Sequence, residues 1–171
     1  MPSPSGSKKN ASPAARPKFR MIVADDVRVE QDGKVTVVGM YTDDIVVAHI
    51  PPTVPEPTME IPHAIPGLTF LVTVIGLEGT YPVSLRLVSP KPNQHAPESK
   101  SVEFRPGGSA NFILRAQPFL FASFGSKTLI AKVGEFEEAF SFEIRKGVAP
   151  AAEVLEPPAK HSGRAAKKRV S

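Results

Sequence analysis

The chain has 171 residues, no cysteine, 19 prolines and a formal net charge of +4. That length suits one domain, and the missing thiols exclude disulfides, thiolate metal sites and a cysteine nucleophile. The charge is uneven: residues 1–18 hold Lys8, Lys9, Arg16 and Lys18 with no acid. Residues 148–171 hold five bases against Glu153 and Glu156, which leaves residues 19–147 at −3. The basic character belongs to the ends, which argues against a basic nucleic-acid-binding face on the central part.

Residues 1–17 are Ser, Pro, Ala, Gly and Lys with almost nothing to bury, so a disordered basic tail is expected there. The N-terminal stretch lacks the apolar run of a secretory signal, and no apolar run is long enough for a membrane span. The expectation is therefore a cytoplasmic protein.

From residue 18 a two-residue period dominates, and it marks strands with one face in a core and one in water. Asp32-Gly33 is a hairpin signal that joins residues 19–30 to 34–41. Ile50 to Pro66 contains six prolines, too many for a central strand, and reads as an extended crossing from one sheet to another. Phe70 to Ile75 is apolar on both faces, as a covered central strand would be. Val83, Leu85 and Leu87 alternate with polar residues, and so do Val102 and Phe104.

Lys91–Lys100 is a polar loop, and Pro106-Gly107-Gly108 joins residues 101–105 to 110–116. Gly134-Glu135 joins 127–133 to 137–145, with glycine first as a type II′ turn prefers. Phe140, Phe142 and Ile144 complete the alternation. From Val148 an Ala- and Pro-rich linker leads to a second basic tail. The predicted domain is therefore 18–147, an all-β, two-layer antiparallel sandwich of about seven to nine strands. An immunoglobulin-like or similar Greek-key topology is expected.

Three candidate sites emerge. The pairs Asp25-Asp26 and Asp43-Asp44 supply carboxylate oxygens of the kind a hard cation takes, although no calcium-loop spacing is present. Their structural alternative is strand-end capping for Asp25 and Asp43 and an ion pair of Asp26 with Arg28 or Lys34. Phe119, Phe121 and Phe124 form the densest aromatic run, fitted either to the core or to a partner contact. Lys8, Lys9, Arg164, Lys167, Lys168 and Arg169 offer contacts to nucleic acid or another anionic surface.

His49, His63, His95 and His161 lack zinc-ligand spacing, so no cofactor is expected. There is no nucleophile elbow and no phosphate-cradling loop. Glu60, Glu78, Glu103 and Glu143 have separations the sequence leaves open, so a small hydrolase stands as a third reading.

Residues 19–50 carry one further pattern: Asp25 to Arg28, Gly33-Lys34 and Val38 to Tyr41. It resembles the N-terminal half of a family of small, functionally uncharacterised bacterial proteins. The resemblance implies a bacterial source and a β-sandwich, and brings no catalytic residue with it. The resulting expectation is a non-catalytic module that binds an unknown protein partner or associates with itself. The alternative is a nucleic-acid-associated accessory protein acting through its basic tails.

Overall fold

A computed structural model of the chain describes residues 16–88 and 99–147. The first basic tail up to residue 15, the whole of the second and most of the Lys91–Lys100 loop lie outside the described residues, so the contacts expected of Lys8, Lys9, Arg164, Lys167, Lys168 and Arg169 do too.

The described residues are nearly all β. The strands are β1 (Lys18–Val29), β2 (Val35–Met40), β3 (Ile45–His49), β4 (His63–Ile65), β5 (Leu68–Ile75), β6 (Gly79–Val88), β7 (Lys100–Phe104), β8 (Ser109–Ala116), β9 (Phe119–Phe121), β10 (Gly125–Val133) and β11 (Phe136–Gly147). They form a four-stranded sheet ordered β2-β1-β5-β8, a five-stranded sheet ordered β3-β11-β10-β6-β7, and the small pair β4-β9. A 3-10 turn at Thr42–Asp44 links β2 to β3.

The four-stranded sheet is antiparallel, but the five-stranded one is mixed: β3 runs parallel to β11, with Val46 opposite Ile144. Alternation reports which face a residue occupies and carries no direction, so the purely antiparallel expectation is corrected here. The count of strands also exceeds the expected one, because β4 and β9 are three residues each. Segments that short fall below the reach of a periodicity argument.

The turns do what their residues prescribe. Between β1 and β2, the Gly33 amide donates to the Glu30 carbonyl at 2.9 Å, and Gly33 takes φ +80°. This makes a three-residue loop with glycine in the left-handed position, and Lys34 N–H closes on Asp32 Oδ1 at 3.1 Å. Gly134 opens the two-residue β10–β11 turn at φ +58°, with Val133 paired to Phe136. By contrast Pro106-Gly107-Gly108 makes no hairpin: β7 lies in the five-stranded sheet and β8 in the four-stranded one. Residues 50–62 likewise cross between sheets, as their prolines require.

Both large sheets contribute to one hydrophobic core. Val23 of β1, Phe70, Val72 and Val74 of β5, Val83 of β6, Leu129 and Val133 of β10 and Phe142 and Ile144 of β11 are all buried in it. Phe142 sets its ring edge-on to Phe70 at 5.0 Å and to Phe119 at 6.0 Å. β5 is buried on both faces, because its other side holds a second cluster of Ala24, Val27 and Leu71 with Ile22, Val35, Val37 and Ile113 against it.

That second cluster requires the β1–β2 hairpin to curl. Ala24 and Val27 both belong to it although they have opposite parity on β1. The break falls at Asp25, which the register sets opposite Gly39, a residue at φ +63° within β2. The hairpin beyond this point folds Val27, Val35 and Val37 against Leu71 and Ile113. Arg115 of β8 fastens it, donating to the Val27 carbonyl at 2.6 Å.

Candidate functional site

The acidic pairs are the natural starting point, and the hairpin disperses them. Asp26 points to Arg28, accepting from its Nε at 2.7 Å, and this bond holds the Asp26 carboxyl below the usual carboxylate range. Lys34 pairs with Asp32. Of the two ion pairs open to Asp26, the one with Arg28 forms.

Asp25 does something different. Its Oδ1 accepts a hydrogen bond from the Tyr41 hydroxyl at 2.6 Å. Its Oδ2 lies over Gly39, only 2.0 Å from where a Cβ on that residue would stand. Gly39 is thus required twice, for its left-handed backbone and for the space the carboxylate occupies. The Tyr41 amide bonds to the Val23 carbonyl at 2.9 Å, continuing the hairpin past β2 and bringing the phenol to Asp25. Burial and the adjoining Asp25 carboxylate push the Tyr41 phenol up to about 12. Tyr41 therefore remains a protonated donor well beyond neutral pH.

Asp43 and Asp44 sit in the 3-10 turn, each at φ 55°, in the left-handed region that asparagine and aspartate tolerate better than most side chains. Burial, followed by the neighbouring Asp43 charge, raises the Asp44 carboxyl above its ordinary value. Among the described residues no three His, Asp or Glu side chains sit together as a metal ion would need. The four aspartates, candidates either for a cation site or for caps and ion pairs, are divided between a phenol, a guanidinium and a strained turn.

The structure also places the aromatic run. Phe119 and Phe121 are 5% and 2% exposed and belong to the core, while Phe124 packs against its margin. Core filling, the other use open to these rings, accounts for the two phenylalanines on β9. His63, opposite Phe121 on β4, has a buried Nε2 without a hydrogen-bond partner among the described residues.

Two further features emerge only in the fold. One is an open depression of about 550 Å³ lined by Asp25, Tyr41, Ile65, Pro66, Gly67 and Gln117. It lies where β1 parts from β5: the fully buried Thr69 donates to the Asp25 carbonyl at 3.2 Å, and Gln117 rests against Gly67. The signal that could have found it is arithmetic. Asp25 and Gly39 are equally distant from Asp32, so a hairpin centred there sets them opposite one another.

The other feature is the outer edge of the four-stranded sheet. β2 pairs with β1 on one side alone, and Val38 and Met40 are 44% and 59% exposed upon it. Sheet edges are ordinarily guarded by charge or proline. β7 has Lys100 and Glu103, and β3 follows directly on Asp43-Asp44, while the one charge of β8, Arg115, is engaged by the Val27 carbonyl. Val35–Met40 contains no charged residue and no proline.

The chain matches no protein-family model and no curated protein.

Proposed function

We propose that this chain is a non-catalytic binding or assembly module that acts through macromolecular contacts, and that the contact forms along β2. The observation that carries this reading is the unguarded edge: an uncharged strand with exposed Val38 and Met40 and open backbone hydrogen-bonding groups. An extended segment of another polypeptide, or β2 of a second copy, would add a strand there. Main-chain bonds would supply affinity, and the two apolar side chains register and selectivity. The arrangement is read as a Greek-key sandwich whose sheets present such an edge, working in the cytoplasm. The likeness of residues 19–50 to small bacterial β-sandwich proteins is in keeping with this, since the shared residues include those that shape the hairpin.

The test is Val38→Glu, which puts a charge on the edge at an already exposed position. Sedimentation of the full chain, together with capture of partners from a lysate of its source, should show an association that this variant abolishes. An association lost instead on neutralising Lys167, Lys168 and Arg169, and falling steeply with salt, would favour the nucleic-acid reading. A chain that associates with nothing would overturn both.

A further inference from the structure

We propose that the depression beside Asp25 binds a cationic side chain of the lysine or arginine type. Four observations converge there. First, the carboxylate is half engaged: Tyr41 occupies Oδ1, and no second donor reaches the Asp25 carboxylate among the described residues. Second, the bases around it are committed elsewhere, Arg28 to Asp26 and Arg115 to the Val27 carbonyl. Asp25 thus stands exposed and without a counter-charge among the described residues, in a central region whose net charge is already negative.

Third, the depression has an apolar flank in Ile65 and Pro66. A metal ion or a bare ammonium would have no use for it, but the methylene stem of lysine or arginine would cover it while the charged end met the carboxylate. Fourth, Gln117 contributes a side-chain amide with no partner among the described residues, and Tyr41 adds an aromatic ring to the same wall. The amide oxygen can accept a second N–H from the cation, and an aromatic face attracts a cation through its quadrupole.

Gly39 and Gly67 keep the site open. A side chain on Gly39 would displace the carboxylate, and one on Gly67 would press on Gln117 at 3.4 Å. Such a cation could come from a residue of a partner polypeptide or from a free alkylamine. A single exposed ion pair is weak, so a millimolar affinity is expected for an isolated side chain.

The site is separate from the β2 edge. Val38→Glu, which charges the edge without supplying a competing cation, should leave it intact, so the failure of either proposal is distinguishable from the failure of the other. The experiment is a nuclear magnetic resonance titration of the isotopically labelled full chain with Nα-acetyl-lysine methylamide, its norleucine counterpart and butylamine. The lysine probe should shift the signals of Tyr41, Gly67 and the Gln117 side-chain amide saturably, and norleucine should not.

A response to blocked lysine stronger than that to butylamine would assign the source to a polypeptide, and the reverse order to a free amine. Asp25→Asn, which keeps an acceptor for Tyr41, should abolish the response, and Gln117→Ala should weaken it. Equal responses to lysine and norleucine, a response that survives Asp25→Asn, or no saturable shift with either amine would overturn the proposal.

Discussion

Arg115 on β8 reaches past β5 to the Val27 carbonyl on β1, 88 positions away in the chain, and closes a 2.6 Å hydrogen bond. This contact holds the curled half of the β1–β2 hairpin against Leu71 and Ile113. Arg115→Met keeps the aliphatic stem and removes the donor, so it should destabilise the protein by about 1–2 kcal/mol. Hydrogen exchange should accelerate in Val35–Met40 before the rest of the sheet. Uniform acceleration throughout the sheet would show that the guanidinium does not pin the hairpin.

Alkaline titration tests the Tyr41–Asp25 bond. The folded-state phenol is raised from 10.0 to about 12. A raised value favours the protonated form, so its stabilisation is complete below pH 10 and is lost as pH climbs towards 12. Tyr41→Phe should be the less stable protein at neutral pH, and its deficit should shrink over that window. The measurement is urea denaturation at successive pH values, and a constant deficit would show that the phenol is not shifted.

Two strands of equal regularity should respond unequally to truncation. Phe142 is 2% exposed and meets two other rings, whereas Leu85 is only half-buried. Phe142→Ala should cost about 3–5 kcal/mol through cavity formation, and Leu85→Ala clearly less. Similar midpoints for the two variants in a denaturant titration would contradict these burials.

Relief of the 3-10 turn should stabilise. Asp43 sits at φ 55° beside Asp44, whose carboxyl is raised by burial and by the Asp43 charge. Asp43→Gly removes both the backbone penalty and the repulsion, and a gain of about 0.5–1 kcal/mol is expected at pH 7. The charge component should fade as pH falls through the carboxylate range, because a raised acid penalises the fold only when ionised. Thermal melts of both proteins at pH 7 and pH 4 make the comparison, and a lower melting temperature for Asp43→Gly at neutral pH would refute it.

The sequence made legible whatever is local. Alternation located the strands around Leu85, Phe104 and Phe142, and Asp32-Gly33 and Gly134-Glu135 marked two hairpins because those turns need residues tolerant of special backbone angles. The parallel pairing of Val46 with Ile144 was invisible, since nothing near either residue encodes a partner so distant. Asp25 drew attention for its charge, yet its use depends on Gly39 and Tyr41, which reach it only once the hairpin register is set. For Phe119 and Phe121 the pattern allowed either a core or a surface, and the packing of β9 beneath β11 decided for the core. Nothing in the residues around Arg115 distinguishes it from any exposed arginine on a strand, because its acceptor lies 88 positions away.

The parallel contact between β3 and β11 also bears on how the protein is made. Residues 45–49 are synthesised well before the strand they join, which ends at residue 147. Translation must therefore proceed through about a hundred further codons before β3 gains its neighbour, and such non-local closure slows folding. Throughout that interval Ile45, Val46 and Val47 form a β-prone segment with nothing to pair with, next to a hairpin whose own outer edge is open. Synthesis rate and chaperone supply, more than equilibrium stability, would then set the yield of native chains, with losses rising as expression is driven harder.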